Sequence, residues 1–210
     1  MKEYKTILKI DKDPHEKGKY LFETDEFGFN PGQVTVLVGP NGSGKTTMLT
    51  NIKRYLRNND IKFVSYDNVW ETKLSLDRSI CLEDYISAQT LMCSSEGQGT
   101  FYNISKFAER VGNALHNKAK NEKEFWVIMD ASDSGLSIDK IVAIKNDLFK
   151  TIFEDVPEKD IYIVVAANTY EYTVPMEGLS LESRDVKTGE KVVFDNYGDY
   201  RHWVCNYNYF

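Results

Sequence analysis

The run Gly39-Pro40-Asn41-Gly42-Ser43-Gly44-Lys45-Thr46 constrains this chain more than any other stretch. Its spacing is G-x-x-x-x-G-K-[ST]. The β-branched run Gln33–Val38 leads directly into it, and the apolar positions Met48, Leu49, Ile52 and Leu56 follow at helical spacing. Glycines let such a loop wrap tightly, so that its backbone N–H groups converge on one point. The helix behind the loop offers its N-terminus, where negative charge is favoured. The pattern therefore calls for a buried strand, a tight loop and a helix, with an anion site at the strand's end. Asn41, Gly42, Ser43, Gly44, Lys45, Thr46 and Thr47 are the expected phosphate-binding residues. Lys45 is placed to contact β- and γ-phosphates, and the Thr46 hydroxyl to ligate Mg²⁺.

The rest of the chain alternates in the same way. Ile61–Tyr66, Phe125–Met129 and Ile161–Ala166 read as further buried strands. A helix starting near Gly99 carries Phe101, Ile104, Ala108, Val111 and Leu115 on one face. Another carries Ile138, Ile141, Val142, Leu148, Ile152 and Phe153, with Ser137 as its N-cap. Strands apolar on both faces and separated by helices predict an α/β fold with a mainly parallel sheet covered by helices. Residues 4–29 have short alternating stretches that predict an antiparallel β portion, and Asn30-Pro31-Gly32 a turn into the first core strand. Leu181–Val186 and Lys191–Phe194 flank a turn and predict a C-terminal hairpin. The aromatic tail after it is either a docked helix or a contact surface. One domain over residues 1–210 is expected, with a core over about 30–170 and the hairpin and tail over about 179–210.

Composition narrows the setting. The 210 residues include 26 Lys+Arg and 32 Asp+Glu, a formal net charge of −6, which argues against coating nucleic acid by charge alone. A local basic group, Lys53, Arg54 and Arg57, lies on the helix after the glycine-rich loop. DNA is thus a possible ligand, although such a group is usually a solvated face. Cys81, Cys93 and Cys205 are widely spaced and form no metal or disulfide pattern, and His15, His116 and His202 read as surface histidines. The charged start lacks an apolar leader core, and no apolar run is long enough to span a bilayer, so a cytoplasmic setting is expected.

The wider wording GQVTVLVGPNGSGKTTML resembles the ABC-type ATPases, and within them the RecF and SMC branch. The resemblance extends from about Gly28 to Asn168 and implies roles for several positions. FWVIMD ends at Asp130, where the family holds Mg²⁺. The family's general base, a glutamate, should follow, but this chain has Ala131; Asp133 is the nearest substitute carboxylate, or simply a turn residue. Ser134-Gly135-Leu136-Ser137 is similar to the D-loop. Ser94-Ser95-Glu96-Gly97-Gln98 is similar to the signature sequence, which implies that Ser95 and Gly97 meet ATP held by a second protomer. Asn168 stands where the switch histidine belongs, and Asp67 or Asn68 where the Q-loop glutamine belongs. Tyr20 and Phe22 are the aromatics from which an adenine-stacking residue would come, or else core residues. The stretch 46–93 is too short for the helical subdomain of transport cassettes or for a long coiled coil.

The resemblance therefore implies a protein that binds Mg·ATP and forms an ATP-dependent homodimer. Its catalytic set is Lys45, Asp130, Asp133 and Asn168, and its metal ligands are Thr46 and Asp130. Hydrolysis is expected to be slow or partner-dependent, in the service of a DNA-processing protein partner. An ATP-gated switch without appreciable hydrolysis and a minimal transport ATPase are the alternatives.

Overall fold

A computed structural model describes residues 4–10, 14–15, 19–68 and 96–207. In chain order its strands are β1 (Thr6–Lys9), β2 (Pro14–His15), β3 (Lys19–Tyr20), β4 (Glu26–Phe29), β5 (Gln33–Val38), β6 (Phe63–Asp67), β7 (Glu124–Asp130), β8 (Asp160–Ala166), β9 (Leu181–Asp185) and β10 (Lys191–Val192). Helix α1 (Lys45–Asn58) follows β5. Helix α2 (Glu96–Asn113) runs on into a π-helical turn, Ala114–Lys118. Helix α3 opens at Ile138–Ala143 and continues through π-helical Ile144–Lys150 to Thr151–Asp155. Helix α4 (Tyr197–Cys205) comes last.

The main sheet has six strands in the order β10-β9-β5-β8-β7-β6, and only β10 runs antiparallel to its neighbour. Two small antiparallel pairs, β1–β4 and β2–β3, complete the N-terminal β portion. The protein is thus a mixed α/β fold of the type expected. The C-terminal hairpin is a built-in part of the main sheet: β9 pairs in parallel with β5 along Val34–Val38, so the sheet reaches well past residue 170.

Alternation along each central strand sends side chains to two cores. Val34, Val36, Val127, Met129, Ile163 and Val165 meet α2 and α3 through Ile104, Phe107, Val111, Ile141 and Phe149. Leu37, Trp126, Ile128, Tyr162 and Val164 meet Met48, Leu49, Ile52 and Leu56 of α1, together with Leu8, Phe27 and Phe29 of the β1–β4 pair. Both faces of the sheet are covered, which is why its strands read as continuous apolar runs. Trp126 and Tyr162 stack at 4.3 Å with an interplanar angle of 9° beneath the N-terminal pair.

Strand β9 holds its place differently, since Glu182, Ser183, Arg184 and Asp185 are all buried. The Arg184 guanidinium donates to the carbonyls of Gly28 and Gly189 and lies over the rings of Phe27 and Tyr4, 4.2 and 4.6 Å from their centroids. It ties the N-terminal strands to the β9–β10 turn. Among the described residues no helix is long and apolar enough to cross a membrane.

Candidate functional site

The C-terminal ends of β5, β7 and β8 open into a cavity of about 540 Å³. This is the end of a parallel sheet at which α/β proteins hold ligands. From the loop after β5 it is lined by Asn41, Gly42, Gly44, Lys45, Thr46 and Thr47. Asp130 and Ala131 close it from β7, and Ala166 and Asn168 from β8. The loop needs its glycines: Gly42 and Gly44 have φ of 83° and 98°, in the left-handed region. A Cβ at Gly44 would also press on Leu21 Cδ2 at 2.9 Å.

Lys45 begins α1 and is buried. Its Nζ donates to the carbonyls of Gly39 at 2.5 Å and Pro40 at 3.0 Å. Burial lowers its pKa to about 8, against the opposing pull of the Asp133 and Asp130 charges. Ser43 is buried beside Gly39, and its Oγ has no hydrogen-bond partner among the described residues. A glycine-rich loop at the N-terminus of α1, with a buried amine beside it, suits phosphate oxygens.

Thr46 and Asp130 form a second pair at the cavity's edge. The Thr46 hydroxyl is hydrogen-bonded to the Asp130 carboxylate. Burial raises the Asp130 pKa, Thr46 and Lys53 oppose the rise, and the adjacent Asp67 charge adds to it. Asp67 and Asp130 are register partners at the ends of β6 and β7. A buried, proton-seeking carboxylate next to a hydroxyl is a hard oxygen donor set of the kind Mg²⁺ takes up together with phosphate oxygens. These residues fit the ion.

Ala131 follows Asp130 with φ of 50°, a left-handed conformation that a non-glycine residue adopts at a cost of about 1 kcal/mol. Ala131 itself lines the cavity. Asp133 is buried and is not among the lining residues; its Oδ2 accepts the backbone N–H groups of Asn168 at 2.6 Å and Thr169 at 2.8 Å.

Gly97 lies elsewhere. At the start of α2 it lines a separate groove of about 410 Å³ with Phe101, Tyr102, Gly135 and Ser137. A Cβ on it would sit 2.2 Å from the Gly135 carbonyl, so α2 and the loop after β7 touch backbone to backbone there. Ser95 lies outside the described residues. Ser137 takes the N-cap position of α3 as expected, but its hydroxyl bonds the Asp139 carboxylate instead of a helix N–H.

Several further residues have structural work. Asn68 Oδ1 accepts from Tyr66 and Thr100, joining β6 to α2. Phe22 is a core residue packed with α1, and the side chain of Tyr20 lies outside the described residues. Leu21 is the neighbour that reaches the cavity, a position that carries no motif and so no sequence signal. The Lys53 charge acts on Asp130, and Arg57 lies over Phe63 at 5.5 Å. Exposed His116 bonds Asp155 at 2.7 Å. The aromatic tail forms a docked helix: Tyr200 and Trp203 of α4 pack on Phe194, and the Tyr200 hydroxyl donates to the Asn168 carbonyl at 2.7 Å.

Residues 22–128, from the edge of the cavity through β5 and α1 and into β7, match the model of the ABC transporter family. The chain belongs to this family. It is an ABC-type ATPase domain, a P-loop NTPase, and the family binds ATP with Mg²⁺ and generally hydrolyses it. A stretch of 51 residues is 35% identical to the phosphonates import ATP-binding protein PhnC of Lactiplantibacillus plantarum, covering 24% of this chain and 20% of that protein. The match spans about a fifth of that relative's length. Among solved structures, Stu0660 of Streptococcus thermophilus superposes with a TM-score of 0.44 at 11% identity, covering 77% of this chain and 72% of that one.

Proposed function

We propose that this ABC-type domain binds Mg·ATP in the 540 Å³ cavity and hydrolyses it slowly, closing head-to-tail on a second copy while ATP is bound. One observation carries the slow turnover. Among the described residues Asp130 is the one carboxylate lining the cavity, it is already bonded to Thr46, and the next position is a methyl group.

In the hydrolysis reaction water attacks the γ-phosphorus, the bond to the β–γ bridging oxygen breaks, and ADP and phosphate leave with release of a proton. Lys45 and the loop amides hold the β- and γ-phosphates and stabilise the charge that develops. Thr46 and Asp130 would hold Mg²⁺, which supplies charge neutralisation when bound. Asn168 faces the cavity and can orient water through its amide, but it cannot accept a proton from it. Positioning and electrostatics are present without a dedicated base.

Dimer formation is supported by the placement of Gly97 in its own groove, away from the residues that would hold phosphate in the same chain. Tyr102 on that groove and Ile138 beside Ser137 are exposed apolar side chains of the kind a second copy would cover. Motif resemblance to the RecF and SMC branch supports a DNA-processing partner; loss of DNA affinity on substituting Lys53, Arg54 and Arg57, with a steep salt slope, tests that part.

Single-turnover hydrolysis by wild type and Lys45→Ala tests the enzyme reading. Wild type is expected to be slow but measurably faster, and equal rates would reduce the protein to an ATP-gated switch. Light scattering with and without Mg·ATP tests the dimer, which an unchanged mass would eliminate. A second reading, an ATP-binding subunit of a membrane importer, is favoured by the family matched and by the import protein among its relatives. Recovery with the membrane fraction in ATP-dependent fashion distinguishes it.

A further inference from the structure

Asn168 is the cavity residue whose backbone is held from both sides by elements remote in sequence. Its N–H and that of Thr169 both donate to Asp133 Oδ2, in the loop after β7. Its carbonyl accepts from the Tyr200 hydroxyl, on α4. A second tie joins the same two loops, from Ser132 Oγ to the Tyr172 hydroxyl at 3.0 Å. The Tyr200 ring is fixed in turn by Phe194 at 5.1 Å and 86°, and by Tyr170 at 5.8 Å. Burial pushes the Tyr200 hydroxyl up to about 12, so it remains a donor at every physiological pH.

A peptide unit gripped at N–H and C=O has little freedom to rotate, and the direction of its Cβ follows from its backbone angles. The ring contacts alone would dock α4. The hydroxyl adds a bond that reaches only the residue facing the cavity. We propose that Tyr200 and Asp133 are positioning residues that aim the Asn168 side chain at the γ-phosphate end of the bound nucleotide, making the C-terminal helix part of the nucleotide site. This rests on the reading of the cavity as an ATP site, and it gives Asp133 a task distinct from proton transfer.

Calorimetric affinities for Mg·AMP-PNP and Mg·ADP provide the test. Wild type is expected to prefer the triphosphate. Tyr200→Phe keeps the ring and removes the bond, and is expected to shrink that preference threefold to tenfold while ADP affinity holds. In an Asn168→Ala background the same substitution should change the ratio no further, whereas a helix that merely stabilises the fold would act equally in both backgrounds. Asp133→Asn keeps an acceptor oxygen and should stay close to wild type, while Asp133→Ala should follow Tyr200→Phe. An unchanged ratio in Tyr200→Phe, or an equal fall in the Asn168→Ala background, overturns the proposal. Equal losses in Asp133→Asn and Asp133→Ala overturn the part assigned to Asp133. If wild type binds neither nucleotide, the ATP-site reading itself fails, and this inference with it.

Discussion

Nucleotide affinity should fall as pH rises through 8, because of how Lys45 is held. Its Nζ donates to two loop carbonyls, and burial lowers its pKa to about 8. A neutral amine has two N–H bonds, both occupied by Gly39 and Pro40. The ammonium has a third to offer, together with its charge. Only the protonated form therefore serves a phosphate, and about 90% of it is present at pH 7 but about 10% at pH 9. The expected loss in ATP affinity between those pH values is about tenfold, or ~1.4 kcal/mol. Binding restores the proton, so calorimetry in buffers of different ionisation enthalpy should show uptake of nearly one proton at pH 9 and little at pH 7. Lys45→Arg, charged throughout, should flatten the profile. The stability of the free protein runs the opposite way. Folding lowers this pKa from 10.5 to about 8, so the unfolded chain binds more protons within that window. The cost of burying the charge is full below pH 8 and is relieved as pH climbs towards 10.5. Flat affinity from pH 7 to 9 without proton uptake would refute the reasoning.

Asp130→Asn removes a buried carboxylate whose pKa is raised, so the free protein should melt higher, while the stabilisation given by Mg·ATP disappears; thermal melts with and without nucleotide check both halves. Gly97→Ala drives a Cβ into the Gly135 carbonyl, and urea unfolding should show a loss of about 2 kcal/mol or more. Arg184→Met leaves the buried carbonyls of Gly28 and Gly189 without their donor, which should cost roughly 2–4 kcal/mol in the same assay. A neutral result would mean that the N-terminal strands are held by ring packing alone.

The elements whose burial is written in local apolar period were legible in the sequence: β5 was expected over Gln33–Val38, where it lies, and β7, β8 and the three longer helices fall within a few residues of their expected bounds. The phosphate loop was legible because its glycines, lysine and threonine act at fixed local spacing. The place of β9 was not. Its buried face consists of Glu182, Arg184 and their neighbours, polar groups satisfied by residues such as Gly28 far away in the chain, and such a strand has the composition of a surface turn. The hold on Asn168 was hidden for the same reason, since Asp133 and Tyr200 meet it only through the fold. Asp133 reads in sequence as a spare carboxylate, whereas the structure gives its Oδ2 to two amides.

The strand order has a consequence for how the protein is made. β5 carries the phosphate loop, yet its two sheet neighbours are β8 and β9, which begin at Asp160 and Leu181. On a ribosome the loop emerges long before β8 and β9 are available to pair with either side of its strand. Contacts so distant in sequence form slowly, and an unpaired apolar strand is open to wrong partners in the interval. The cavity of the nascent chain can therefore be completed only after β8, which brings Ala166 and Asn168 to it, has been synthesised.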